Sequence, residues 1–269
     1  MCPPDHYGIE YEINPWMNRR RQVDHQLAVA QWEALREILI QTGATISLVN
    51  PVLGLPDLVF TANAAIVFRR SALLARFRHA QRQGEQPHYR SWFEDAGWTV
   101  QELPEAYFFE GAGDALFCGD TLFAGYRMRS DAMGHQWIGK QLGCRVIPME
   151  LVDPYYYHLD TCFCPLSANQ ALYFPGAFDV YGRMVLQEIV DELITVSEAE
   201  ARQFACNAVV VGKTVVTNAG CDKLHRDLAD RGFTPIAAPL DEFVKAGGSA
   251  KCLTLRLDGE DSAAWETND

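Results

Sequence analysis

No stretch of this 269-residue chain approaches 18 consecutive apolar residues, so no membrane-spanning helix is expected. The N-terminus, Met1-Cys2-Pro3-Pro4-Asp5-His6, has neither the basic nor the apolar part of a signal region, and a cytoplasmic location is expected. Basic residues are scarce, 23 Lys and Arg against 35 Asp and Glu. The net charge of -12 argues against nucleic acid as a partner and suits a cationic small substrate. Cysteine is thin for a disulfide framework: the eight thiols, at 2, 118, 144, 162, 164, 206, 221 and 252, fit a reducing compartment better. No acidic or proline-rich linker divides the chain, which argues for one domain. Gly111-Ala112-Gly113 lacks the third glycine of a dinucleotide loop and runs into a strand pattern, not a helix.

What is present is a 48% apolar fraction, enough for a substantial core, and a concealed repeat. After an irregular start ending in Ile13-Asn14-Pro15-Trp16, helical spacing of Leu27, Trp32, Leu35, Ile38 and Leu39 predicts a helix over 24–41, closed by Gly43. A short strand is expected at 45–49. From there polar openings run straight into apolar strands. They are Thr61-Ala62-Asn63, Glu110-Gly111-Ala112-Gly113-Asp114, His158-Leu159-Asp160, Cys206-Asn207 and Cys252. Counted at Asn63, Glu110, His158, Asn207 and Cys252, the steps are 47, 48, 49 and 45 residues. Within units a turn (Cys118-Gly119-Asp120, Val211-Gly212-Lys213) leads to a second strand, a helix (131–142, 222–231) and a last strand (144–149, 233–237). A fixed period of this length means stacked or radially arranged α/β units. In a radial arrangement Asn63, Glu110, Asp114, His158, Asp160 and Cys252 meet in one central cavity, where core packing alone has little use for them.

Gly247-Gly248 lets the backbone approach a ligand before Cys252, which the pattern places at the lip of a strand, 253–257. Taken alone, Cys252 reads as a buried structural thiol and His158 as a satisfied core histidine. Together with the carboxylates they read as a nucleophile, an acid-base group and an orienting acid. His158, Asp160, Cys162 and Cys164 stand two apart, but on a strand four such ligands span about 20 Å, too far to wrap one ion. No metal and no cofactor is expected. Arg19-Arg20-Arg21 and Arg69-Arg70 read as solvated faces. Arg127 and Arg129 follow the second strand of a unit, where Arg129 is the stronger candidate to clamp a carboxylate.

The ordered set Ile13-Asn14-Pro15-Trp16-Met17, Leu55-Pro56-Asp57, Phe60-Thr61-Ala62-Asn63, Phe109-Glu110-Gly111-Ala112-Gly113-Asp114, His158-Leu159-Asp160 and Gly247-Gly248…Cys252 resembles the pentein superfamily of guanidino-group modifying enzymes. The resemblance covers Cys2 to Leu257. It implies a five-bladed α/β propeller of ββαβ-like units, with residues 1–258 as a single catalytic domain and 259–269 as a polar acidic tail. It implies attack by Cys252 on a guanidinium carbon, with His158 as acid and base and Glu110 orienting His158. It assigns Asp160 and Asp114 to substrate binding with Asn14 and Asn63, Arg129 to an α-carboxylate and Asp57 to an α-amino group. Where deiminases and dimethylaminohydrolases carry an aspartate, this chain has Asn63. Asn14 and Asn63 together resemble the arginine dihydrolase branch of cyanobacterial bifunctional proteins, which turns arginine into ornithine, ammonia and carbon dioxide. A dimethylaminohydrolase, deiminase or amidinotransferase with the same nucleophile, and an arginine-binding regulatory domain without chemistry, stand as alternatives. The expected partners are a small guanidine and either a second copy of the chain or a fused catalytic domain.

Overall fold

Four copies of one motif carry most of the computed structural model, which describes residues 1–260 and 262–264. Each copy is an antiparallel hairpin, a helix, and a strand that returns parallel to the hairpin's second strand. Ahead of them lies α1 (His25–Gln41), whose N-terminus is capped by the Asp24 side chain accepting from Leu27 N and whose buried face is Ala28, Trp32, Leu35 and Leu39.

The first copy is β1 (Ala65–Phe68), β2 (Ser71–Leu74), the helices α2 (Ala80–Gln83) and α3 (Gln86–Asp95), and β3 (Thr99–Glu102). The second is β4 (Ala115–Cys118), β5 (Thr121–Tyr126), α4 (Ala132–Leu142) and β6 (Arg145–Glu150). The third is β7 (Phe163–Pro165), β8 (Gln170–Tyr173), α5 (Val180–Ile189) and β9 (Glu192–Thr195). After α6 (Glu198–Ala201) comes the fourth, β10 (Val209–Val211), β11 (Thr214–Asn218), α7 (Asp222–Ala229) and β12 (Thr234–Ala238), and then α8 (Asp241–Val244). Register repeats with the motif: Ala65 faces Leu74 across β1–β2 as Ala115 faces Ala124 across β4–β5. Each helix lets the chain cross over and re-enter its sheet in parallel, the standard use of a helical crossover.

The expected fifth unit differs. Neither 45–49 nor 253–257 forms a strand. The first stretch instead bonds to the chain start, Val49 N to Met1 O at 2.9 Å and the Met1 amino group to Ser47 O at 3.0 Å. Cys252 therefore sits in a turn, not at the lip of a strand. The stretch around His158 is also tighter than the extended form assumed for it, because Leu159–Thr161 make a 3₁₀ turn and only Phe163–Pro165 are strand. Cys162 and Cys164 consequently point at backbone carbonyls, of Leu159 and Ala208 among others, and not along one ligand row. Of the expected tail, Ser262 and Ala264 bond to the β4–β5 hairpin through Phe117 and Gly119, and Glu260 pairs with Lys251 at 3.2 Å; Asp261 and 265–269 lie outside the described residues. Among the described residues no helix is long and apolar enough to cross a membrane.

The repeat's purpose appears at the axis. The openings hold one another in sequence: Asn63 Nδ2 donates to Glu110 O at 3.3 Å, and Glu110 Oε2 meets His158 Nε2 at 2.7 Å. Asn207 Nδ2 then donates to Asp160 O at 3.2 Å, Cys252 N donates to Asn207 Oδ1 at 3.1 Å, and Ala62 N returns to Cys252 O at 3.1 Å. All five openings meet in a closed ring, although among the described residues only four carry a sheet.

Candidate active site

Cys252 is delivered by a tight backbone passage. A Cβ on Gly248 would lie 2.4 Å from the Phe60 ring, and one on Gly247, where φ is +88°, would lie 2.9 Å from Tyr157 Oη. Only glycine passes here. The Cys252 sulfur is buried, 3.1 Å from Asn207 Nδ2 and 3.4 Å from Asp160 Oδ2. Burial raises its pKa well above the usual thiol value, and the Asp160 charge adds to the effect. Burial also pushes Asp160 up to about 7, against the opposing pull of the Cys252 hydrogen bond and the Lys251 charge. With the cleft empty, a protonated thiol therefore donates to a carboxylate whose other oxygen, Oδ1, is buried and accepts no hydrogen bond.

The opposite side is more heavily charged. Glu110 is completely buried, yet Arg129 and His158 outweigh burial and hold its pKa well below the carboxylate range. Its Oε2 takes both Arg129 Nη1, at 3.0 Å, and His158 Nε2, while Oε1 accepts Arg78 N at 3.2 Å. Burial lowers His158 to about 4 despite that carboxylate, so the imidazole is neutral at pH 7. A carboxylate at Nε2 requires the N–H there, which leaves the Nδ1 lone pair free, and Nδ1 is buried without a partner. This is a poised base.

Asn63 belongs to the Glu110 side, where its Nδ2 donates to Glu110 O. Its Oδ1 accepts from Arg82 Nη1 at 2.8 Å, and Arg82 has only donors, so the orientation of the amide is fixed. Arg82 itself is gripped by both oxygens of Glu85 at 2.8 Å and stacked over Phe77 at 4.5 Å. Burial opposes its charge, and Glu85 more than restores it. Asp57, with Oδ2 4.0 Å from Arg82 Nε, is raised by burial against the pull of Arg82.

A narrow cleft is lined by Asn14, Asp57, Phe60, Asn63, Arg82, Arg129, Tyr157 and Cys252, among others. Asn14 lines it while clamping the N-terminal segment, accepting Trp16 N at 2.9 Å and donating to Ala246 O at 3.0 Å. Arg129 is buried and stacks over Tyr157 at 4.6 Å; Nη2 donates to Ile13 O at 3.0 Å, so its guanidinium is engaged by the protein itself. Arg127 is half exposed and pairs with Glu150 at 2.7 Å. Asp114 stands one layer behind the cleft. Its oxygens take Ser130 Oγ at 2.6 Å and Leu159 N at 3.1 Å, and Ser130 in turn accepts Glu110 N at 3.0 Å. It pins the Glu110 and His158 turns together. The residues that reasoning from sequence overlooked are Arg82, Glu85, Tyr157 and Asn207. Of these only Asn207 carried a signal, its place as the fourth repeat opening.

The profile of the family described as N,N dimethylarginine dimethylhydrolase, eukaryotic, matches residues 9–258. The bifunctional arginine dihydrolase/ornithine cyclodeaminase ArgZ of Synechocystis sp. is 48% identical over 262 residues, 96% of this chain but 37% of ArgZ. The chain thus spans little more than a third of that relative. The N(G),N(G)-dimethylarginine dimethylaminohydrolase of Mycobacterium tuberculosis is 38% identical over 257 residues, 96% of this chain and 84% of the relative. The N-terminal domain of ArgZ, solved as a cysteine-to-serine variant bound to substrate, superposes with a TM-score of 0.92 at 46% identity, covering 96% of each chain. An asparagine-to-serine variant of that domain, covalently bound to a reaction intermediate, matches equally well. With a profile match over nearly its whole length and this identity to the mycobacterial enzyme, the chain belongs to the pentein-type dimethylarginine dimethylaminohydrolase family.

Proposed function

We propose that this domain hydrolyses the guanidino group of arginine to ornithine, two ammonia and carbon dioxide through a covalent amidino-thioether on Cys252. One observation carries the reading. Asp160 Oδ1 and His158 Nδ1 are buried acceptors without donors, and both stand on the ring of openings that holds the Cys252 sulfur. A planar cation rich in N–H groups satisfies them, and its charge offsets the burial and the Asp160 repulsion that keep the thiol protonated.

On this reading the thiolate attacks the guanidinium carbon, its proton passing by way of Asp160 or His158 to the departing nitrogen, and ammonia leaves. Water, losing a proton to His158 Nδ1, then attacks the thioether carbon. Expulsion of the thiolate gives the neutral ureido group. Held in place, that group takes a second attack, loses the second ammonia, and is hydrolysed to a carbamate that decarboxylates. Glu110 keeps His158 in the tautomer this needs. The identity to ArgZ and the Asn63 amide favour complete hydrolysis; the mycobacterial relative favours release of dimethylamine from dimethylarginine instead. Purified protein given each substrate decides between them. The expected yield from arginine is one ornithine and two ammonia without free citrulline. Dimethylamine from dimethylarginine as the faster reaction overturns the assignment.

A further inference from the structure

We infer that Asn207 is a catalytic donor to the nucleophile, its side-chain N–H bonding the Cys252 sulfur and stabilising the thiolate that attacks. The inference rests on Cys252 being the nucleophile proposed above, but not on which guanidine it attacks.

The amide of Asn207 is completely buried and cannot be turned round. Its Oδ1 accepts Cys252 N at 3.1 Å, and a backbone N–H can only donate. Nδ2 therefore faces the other way, where its two hydrogens meet two acceptors, Asp160 O at 3.2 Å and Cys252 Sγ at 3.1 Å. The Asn207 carbonyl also receives Lys251 N at 3.2 Å, so the residue holds two successive backbone N–H groups leading into the nucleophile. Other buried thiols lack this arrangement. Cys118, Cys162 and Cys164 turn their sulfurs toward backbone carbonyls, an environment that disfavours negative charge. Among the described residues, only at Cys252 does a side-chain amide present hydrogen to sulfur. The thiol hydrogen goes to Asp160 Oδ2, so when that proton departs the Nδ2–H remains to meet the new charge.

Asn207→Asp keeps an oxygen for Cys252 N and loses the donor to sulfur but sets a carboxylate beside it, so Asn207→Ala, which removes the donor without adding charge, is read alongside. The experiment follows iodoacetamide labelling of Cys252 against pH, read on the Cys252 peptide by mass spectrometry, in folded wild type and variant. Labelling of the variant is expected to move to higher pH by about one unit or more, and to slow about ten- to hundred-fold at fixed pH. If the aspartate variant does not fold, the alanine variant decides alone. A folded variant with an unchanged labelling profile overturns the inference. Because labelling needs no turnover, a wild type inactive on arginine but showing the shift refutes the substrate assignment and leaves the role of Asn207 standing.

Discussion

On the Glu110 side of the cleft the strongest charges have their opposites in place: Arg82 against Glu85, Arg129 and His158 against Glu110. On the Cys252 side, the Asp160 carboxylate takes the Cys252 thiol and its backbone carbonyl takes the Asn207 amide, and these hydrogen-bond contacts include no cation. Both sides are buried, so the difference comes from pairing and not from exposure. Burial is outweighed at Glu110, which stays ionised, and wins at Asp160 and Cys252, which resist charge. The paired side is preorganised before any ligand arrives. The unpaired side is a site one cation short, where the proposed reaction would convert binding energy into an activated nucleophile.

The largest effect is expected at the unpaired side. Cys252→Ser keeps the cleft's shape but replaces the thiol with an alcohol whose pKa is far higher, so turnover should fall by about a thousandfold or more while arginine still binds. Calorimetric titration of arginine into the variant, beside an ammonia assay, checks both halves. Binding lost together with turnover would mean that the sulfur is structural.

The two sides should also respond to pH with opposite sign. Glu110 has a folded pKa below its unfolded value, so its contribution is present above about pH 4.5 and is lost as pH falls. His158, lowered from 6.5 to about 4, acts in the same sense, losing its contribution as pH falls from 6.5 toward 4. Asp160 is raised from 3.8 to about 7, so its contribution is full below pH 4 and disappears as pH rises through 7. Denaturant titrations from pH 4 to 8 should show Asp160→Asn gaining on wild type toward alkaline pH, on the order of a few kcal/mol. Glu110→Gln should lose about 3–5 kcal/mol at neutral pH, because Arg129 is left buried without its anion. A pH-independent difference between Asp160→Asn and wild type would remove the asymmetry.

The sequence made one side more legible than the other. The repeat spacing singled out Asn63, Glu110, His158, Asn207 and Cys252, and these openings hold one another in a hydrogen-bonded ring. Of the residues expected in one cavity, however, only Asn63 and Cys252 line the cleft. Helix and strand limits agreed to within a residue or two in most units, since each alternates a hairpin with an amphipathic helix. The fifth unit misled, because an apolar run such as Leu253-Thr254-Leu255 looks like a strand whether or not a neighbour pairs with it. Arg82 and Glu85 lie in an ordinary polar stretch. Their bidentate pairing and contact with Asn63 depend on α2 being folded back over the cleft, which no local pattern records. Asp114 looked like a ligand residue because it sits in the right motif; only the structure shows both its oxygens spent on Ser130 and Leu159.

The smallest expected change, and the one that most sharpens the contrast, is Asn63→Asp. Arg82 fixes Asn63 with its oxygen away from Glu110, so Nδ2 faces the Glu110 carbonyl at 3.3 Å. Gly113 makes the room, since a Cβ there would lie 2.1 Å from Nδ2. In the aspartate variant one oxygen keeps the Arg82 bond and the other replaces Nδ2. An acceptor then faces the Glu110 carbonyl and any ureido oxygen nearby. The paired side keeps its cation and gains an anion, so the first attack, governed by Cys252 and Asp160, should persist. Retention of the neutral ureido product should not, because the N–H that holds and polarises its oxygen is gone. A hydrogen bond of this kind is worth roughly 1–3 kcal/mol, so the ratio of ornithine to citrulline should fall about tenfold or more. That ratio, measured by quantifying both amino acids from one arginine digest, does not depend on how much enzyme is folded. A variant that still yields only ornithine would show that Asn63 does not control the partition, and would place the control on the Cys252 side.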